Sequence, residues 1–350
     1  MAFAGLRVAS CGSAPEAGEP DAAQPAPTAP ARSNILEERL ATYPAYQDPD
    51  PTDLSAISGG EGVVGFSLGD PESVELPALS PEHASAIDEA LEPFESDGFD
   101  ASFLLMDVGT GRGIAYNLDE SIYGASSFKG PYCAYVAESY VDGGQVAVSE
   151  VSDDFFNIIV YSDNDTYDAM RARFPDSKLV LWLDSIGVAS SVAYDTWYPH
   201  YTARDSAKLW MATYNYLKGG GSTAEALAKH FGRTDTSFMR TAVTEAAEEA
   251  NAAVEEEAEA EEATFGSEVS ALLDRAVREA TVTEVAVYDK AGWYPRDQDD
   301  VPAMVDAGIV ECNGRDYLLC VLTDMPWSEP NQEDAEALIA AVFSARSDLG

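Results

Sequence analysis

Positive charge is scarce in this chain. Lys and Arg total 20 of 350 residues against 62 Asp and Glu, a formal net charge of −42. Such a surface repels phosphate, which excludes a nucleic-acid partner and a basic membrane-surface role. Histidine is equally sparse. His83, His200 and His230 lie far apart and no HExxH occurs, so no metal site and no cofactor are expected. The four cysteines, Cys11, Cys133, Cys312 and Cys320, form no CxxC pair and are too few for a disulfide scaffold. Cys312 and Cys320 flank an Asn313-Gly314 turn. In a two-residue hairpin Cys312 faces Arg315 and Cys320 points to the other face, so no disulfide is expected to join them. No apolar run approaches ~18 residues, so no transmembrane helix is expected.

What the chain does contain is enough apolar matter for a core: 46% hydrophobic and 10% aromatic residues, which excludes a wholly disordered chain. At ~100–200 residues per domain the length allows one large domain or two smaller ones. Near the start, Val8-Ala9-Ser10-Cys11 followed by Gly12-Ser13 resembles a bacterial lipoprotein cleavage box, in which the cysteine is acylated. The apolar stretch before it is short and Arg7 interrupts it, so residues 1–11 are read as a truncated lipoprotein signal, with the true start upstream. Residues 12–75 form a Pro/Ala/Gly-rich tether and irregular segment, with a short helix over 35–42 and loop over 43–75. The expected location is extracytoplasmic, secreted or held at the membrane only by a lipid anchor on Cys11, and the expected state is a monomer.

The folded domain is expected over 76–350. Ser80 is the N-cap and Pro81 the first residue of a helix running to about Phe94. Phe103–Val108 and Ile114–Asn117 read as a hairpin around Thr110-Gly111-Arg112-Gly113. Residues 130–280 read as a helical lobe, with a break at Gly219-Gly220-Gly221. Within it, 244–263 is an acidic low-complexity insert: nine Glu over 245–262 with no Lys or Arg, read as solvated and without chemistry. A helix over 267–280, strands over 283–289, 306–312 and 315–323, and a helix over 331–345 complete the chain. This order predicts a mixed α/β fold of the α+β type. Strands from both chain ends join in one antiparallel sheet, terminal helices cover one face, and an all-helical lobe is inserted.

Three short motifs occur in sequence: Ser126-Ser127-Phe128-Lys129, Ser162-Asp163-Asn164 and Lys290-Ala291-Gly292. Each alone has an ordinary structural explanation as a cap or a turn. Their order is informative, and Lys129 is the only one of six lysines preceded by Ser at −3. A serine hydroxyl is a poor nucleophile until a base takes its proton. Lys129, one turn after Ser126, serves as that base only when neutral, and burial favours the neutral form. Ser126 at a helix start also gains from the helix dipole.

The three motifs resemble the SxxK, SDN and KTG elements of class A β-lactamases and penicillin-binding proteins, over roughly residues 80–350. The resemblance implies a serine β-lactamase/transpeptidase-like fold, with Ser126, Lys129, Ser162 and Lys290 catalytic. It implies that Ser162 relays a proton to the leaving nitrogen, that Asn164 binds the substrate amide and that Asp163 points inward as a structural residue. It assigns Gly292 to close approach of the strand and the backbone N–H of Ser126 and Trp293 to the oxyanion hole. Arg296 is a candidate counter-ion for a substrate carboxylate.

Three departures qualify that pattern. Ala291 replaces the usual Thr or Ser, removing one hydroxyl donor worth on the order of ~1–3 kcal/mol. SxxK and SDN are only 36 residues apart. No Glu occurs between Val151 and Ala224, so the deacylating glutamate of class A enzymes is missing and Asp195 is the candidate substitute. His200 reads as a packed loop residue and Cys133 as a small buried apolar one. The expected function is a serine hydrolase acylated at Ser126 by a β-lactam or related amide, with slow hydrolysis. The alternatives are an acyl-transfer domain acting on cell-wall peptides and a degenerate wall- or ligand-binding module.

Overall fold

The computed structural model describes residues 50, 53–60, 62–68, 76–194, 196–262, 283–295 and 301–350. Cys11, the helix expected over 35–42, Asp195, the helix expected over 267–280 and Arg296 lie outside the described residues.

One antiparallel sheet organises the fold. Its strands are β1 (Val64–Ser67), β2 (Ala101–Asp107), β3 (Arg112–Tyr116), β6 (Val285–Asp289), β7 (Gly292–Tyr294), β8 (Ala303–Cys312) and β9 (Arg315–Thr323). The order is β1-β3-β2-β9-β8-β6, with β7 also paired to β8. The strands from the two chain ends meet where β2 pairs β9, Leu104 opposite Cys320. Cys312 stands opposite Arg315 across a turn whose Asn313 and Gly314 both have positive φ, the signature of a tight two-residue hairpin.

Both faces of the sheet are covered, and the two-residue period divides the side chains between them. Phe103, Leu105, Leu319 and Val321 face a core with Ile87 and Phe94 of α1 (Pro81–Asp97) and Leu338 and Val342 of α10 (Glu329–Ser344). Leu104, Met106, Leu318 and Leu322 face the helical lobe. Ser80 caps α1 through its hydroxyl, Pro81 opens it, and Gly98 closes it in the left-handed conformation.

The lobe contains α2 (Lys129–Val136), α3 (Ser152–Val160), α4 (Asn164–Arg173), α5 (Asp176–Ser185), α6 (Ser191–Tyr194), α7 (Ala203–Gly219) and α8 (Ser222–Phe231). A two-stranded ladder, β4 (Ile122–Tyr123) with β5 (His200–Tyr201), ties it to the segment before α2. The glycine break separates α7 from α8 as expected. The next helix, α9 (Phe238–Glu262), departs from expectation in where its start packs. Its first turns bury Phe238, Met239, Ala242 and Val243 on the α1/α10 face rather than in the lobe. Its backbone stays helical through the acidic run to Glu262, and Asn251 bonds the backbone of Thr283 through both side-chain amide atoms.

The segment read as loop over 43–75 also contributes to the fold. Leu54, Ile57 and Phe66 are buried in the lobe-side core, and Arg204 donates to the carbonyl oxygens of Leu54 and Ile57. β1 escapes a pattern reading because it is four residues long and contains Gly65. A Cβ at Gly65 would meet the Pro77 carbonyl oxygen at 2.1 Å, so the close approach excludes the residues that normally announce a strand. The three residues of β7 are too few for alternation to register.

Candidate active site

The turn before α2 sorts two adjacent serines. Ser127 is buried, and its hydroxyl is committed to the Gly124 carbonyl oxygen at 2.6 Å and to the Tyr201 hydroxyl. Ser126 is half-buried and open to a reactant. Ser126 lies in the turn rather than in the helix, which begins at Lys129; the Lys129 amide donates back to the Ser126 carbonyl oxygen at 3.2 Å. Ala125 is held at φ 44°, a left-handed conformation costing a non-glycine residue roughly ~1–2 kcal/mol. The turn is fixed by Gly124, whose amide donates to Pro199 and whose missing side chain makes room for the Tyr201 ring.

Lys129 is fully buried, as are all eight residues of α2. Its Nζ donates to the Ser162 carbonyl oxygen at 2.6 Å and to Asn164 Oδ1 at 2.5 Å, and lies 3.5 Å from Ser162 Oγ. Those contacts match the three donors of an ammonium. The neutral amine has two donors and one lone pair, and Ser126 is not among the hydrogen-bond partners of Nζ. Burial, and secondly the positive charge of Lys290, push the Lys129 pKa down to about 7. Asp163, Cys133 and Asp168 oppose the shift.

Ser162 is placed by strain and by a cap. Its φ is 57°, and the next residue, Asp163, caps α4 by accepting from the Thr166 amide at 2.8 Å. Asp163 is therefore structural, as expected, but it stands half-exposed at the helix start and does not point inward. Capping orients α4 so that Asn164 reaches Lys129.

Lys290 follows β6, is 2% exposed, and donates to the Ala291 carbonyl oxygen at 2.7 Å. Burial lowers its pKa to about 8, opposed by Asp289 and Asp306 behind it. Those two fully buried carboxyls share a hydrogen bond, and burial together with the charge of Asp289 favours the acid form of Asp306. Asp289 also accepts from Thr234 at 3.0 Å and Arg240 at 3.2 Å, and from Ser237, while Asp306 accepts from the Met239 amide at 2.9 Å.

Gly292 brings β7 against the serine turn. A Cβ there would lie 2.5 Å from the Ser127 nitrogen and the Gly124 oxygen, and 2.6 Å from the Ser126 nitrogen. At Gly130, one residue past Lys129, a Cβ would meet Lys290 Cβ at 3.0 Å. All three motifs therefore converge on the start of α2. Trp293 is 40% exposed and stacks on Trp327 with ring centroids 5.0 Å apart. Across the serine turn, Tyr123 meets Tyr294 edge-on at 6.5 Å and His200 at 5.2 Å. His200 is exposed on β5 and is not a packed loop residue; the ladder with Tyr123 holds it outward. Asp205 completes the cap of α7 with Thr202. Cys133 is fully buried, and burial pushes its thiol pKa up, away from nucleophilic use.

Several residues at this site escaped the motif reading. The Tyr167 and Tyr198 rings lie 5.5 and 5.6 Å from Lys129 Nζ, and the Tyr198 hydroxyl donates to Asp168 at 3.1 Å. Asn164, Tyr167, Asp168 and Arg171 recur at i, i+3, i+4 and i+7, a helical face that a search outward from Asn164 would have marked.

No family model matches the chain, and no curated protein matches it. Solved structures do. A β-lactamase from Chitinophaga pinensis is 15% identical, covers 74% of this chain and 98% of its own, and superposes with a TM-score of 0.52. A β-lactamase from Sphaerobacter thermophilus is 13% identical, covering 75% and 97%, TM-score 0.52. A class A β-lactamase representative from Bacteroides cellulosilyticus is 14% identical, covering 75% and 97%, TM-score 0.50. At these identities the likeness establishes the architecture alone: a β-lactamase-like fold, with an antiparallel sheet, flanking helices and a helical lobe.

Proposed function

We propose that the chain is a serine hydrolase acylated at Ser126 by a β-lactam or related small amide. One observation carries the reading: a fully buried lysine one turn after an accessible serine, bonded to Ser162 and Asn164, with a second buried lysine packed behind it. A buried lysine is expensive unless its neutral form is useful, and a neutral amine beside a hydroxyl is a base.

In the proposed reaction, neutral Lys129 takes the Ser126 proton as Oγ attacks the carbonyl carbon. The oxyanion faces the backbone N–H groups of Ser126 and Trp293, donors worth ~2.7–4 kcal/mol of barrier each in sites of this type. The C–N bond breaks, and the leaving nitrogen takes the proton from Lys129 by way of Ser162. Asn164 holds the substrate amide. Lys290, and Arg296 outside the described residues, supply positive charge for a carboxylate. Ala291 offers that carboxylate no hydroxyl.

Water must then attack the acyl carbon, and this step needs its own base, for which Asp195 is the candidate. Among the described residues no carboxylate is within hydrogen-bond distance of Lys129, and that favours a long-lived acyl-enzyme. It supports the second reading, a penicillin-binding or cell-wall-peptide acyl-transfer domain. We further propose an extracytoplasmic monomer anchored through Cys11; among the described residues no helix is long and apolar enough to cross a membrane.

The test is a chromogenic cephalosporin followed by both absorbance and intact mass, with Ser126→Ala as control. Turnover supports hydrolysis. A stable adduct lost in Ser126→Ala supports the acyl-transfer reading. Neither signal refutes acylation and leaves the binding module.

A further inference from the structure

Lys129 is bonded to Ser162 and Asn164 and lies against two aromatic rings. Tyr167 and Tyr198 stand 5.5 and 5.6 Å from its Nζ and meet each other edge to face at 5.4 Å. Neither ring is free to drift. The Tyr167 hydroxyl donates to the Trp197 carbonyl oxygen at 2.7 Å, which ties down the residue before Tyr198, and it accepts from Arg171 at 3.1 Å. The Tyr198 hydroxyl donates to Asp168 at 3.1 Å. Asn164, Tyr167, Asp168 and Arg171 all project from one face of α4. A single helix face thus bonds the lysine directly, supplies one ring against it, and anchors the second.

Resting on the acylation reading above, we infer that Tyr198, anchored by Asp168, is a positioning residue whose ring packs against Lys129 and keeps its amine at Ser162 and Asn164. A base must sit within hydrogen-bond reach of the proton it takes, and a four-carbon side chain with free rotamers does not stay there unaided. The ring fills space into which the side chain could otherwise turn, while its attraction for cations is stronger for the ammonium than for the amine. The clamp therefore holds the lysine in both protonation states of the relay. Asp168 has a second, longer-range effect, because its negative charge favours the ammonium. The groups facing Lys129 are Lys290 from the β6–β7 junction, Asp163, Tyr167 and Asp168 from α4 and its cap, Cys133 from its own helix, and Tyr198.

The experiment uses the full chain with lysine labelled at Cε and Nζ, so that Lys129 is titrated by NMR without any substrate; six lysines make its resonance assignable. Acylation by a cephalosporin is measured in parallel across pH. Asp168→Asn retains an acceptor for Tyr198 but removes the charge, and should lower the Lys129 midpoint. Tyr198→Leu removes the ring and should cut acylation about ten-fold or more. Tyr198→Phe, which restores the ring but not its bond to Asp168, should recover part of that loss. Tyr198→Leu that folds and acylates at the parent rate overturns the clamp. If Tyr198→Leu fails to fold, Tyr198→Phe decides, because acylation at the parent rate overturns the anchoring by Asp168. A parent chain that never acylates refutes the proposed function, and a Lys129 resonance displaced between the parent and the Tyr198 variants then still supports the ring contact.

Discussion

Replacing Gly292 with alanine tests the convergence of the three motifs at a single atom. The new Cβ would lie 2.5–2.6 Å from three backbone atoms of the serine turn, those of Gly124, Ser126 and Ser127. None belongs to a flexible side chain that can swing away. Ordinary contact begins near 3.4 Å, so β7 and the turn must separate by roughly 0.9 Å. The turn is bonded to Pro199 and packed on Tyr201, and β7 is paired to β8 with Gly292 opposite Val305, so both sides resist. Forcing a methyl into such a contact costs about 1–3 kcal/mol of stability. For the chemistry the effect is larger. Displacing reacting groups by about 1 Å costs on the order of 100-fold. Gly292→Ala should therefore lower the acylation rate by ~10- to 100-fold, measured as cephalosporin adduct formation by intact mass, and reduce the thermal midpoint by several degrees. Gly219→Ala is the control, since nothing lies within 4 Å of its new methyl. A Gly292→Ala protein with parental rate and melting would refute the close approach and, with it, the placement of an oxyanion hole between β7 and the turn.

Acylation should rise with pH through about 7, as Lys129 becomes the free base, and fall as Lys290 loses its charge through about 8, giving an optimum between them in a stopped-flow pH profile. A rate independent of pH from 6 to 9 would exclude Lys129 as the base. Asp306→Asn, which keeps a donor for Asp289, should shift the calorimetric stability little, whereas Asp289→Ala strands Arg240 and Lys290 and should cost about 3–5 kcal/mol. Ser80→Ala removes the cap of α1 and should cost about 1 kcal/mol in denaturant unfolding, because the His83 amide loses its acceptor. Equal stability of Ser80→Ala and the parent would show that Asp348, which bonds the Ser80 amide at 2.7 Å, suffices to hold the helix start.

Much of the architecture was legible because it is written in short-range patterns. The cap at Ser80, the Asn313-Gly314 turn and the run from Arg315 to Thr323 each act within a few residues, and the structure has all three where composition and period place them. Patterns that act over three or four residues fail for shorter elements. β1 and β7 are defined by what they approach, Pro77 for Gly65 and the serine turn for Gly292, and only glycine marks them in the sequence. The acidic helix shows the limit from the other side. Its like charges argue against helix, yet Met239, Ala242 and Val243 anchor its start in a core that no local window displays.

The same division holds at the site. The sequence by itself determined the order of the three motifs, the one-turn spacing of Ser126 and Lys129, the loss of a hydroxyl at Ala291 and the absence of a glutamate between Val151 and Ala224. These are properties of residue type and of neighbours along the chain. Only the tertiary structure decided that Ser126 rather than Ser127 is accessible, that Lys129 is buried against Tyr167 and Tyr198, and that Asp289 and Asp306 stand together behind Lys290. The charge of a lysine depends on solvent exclusion and on charges within a few ångströms, and those neighbours come from segments 30 to 180 positions away along the chain.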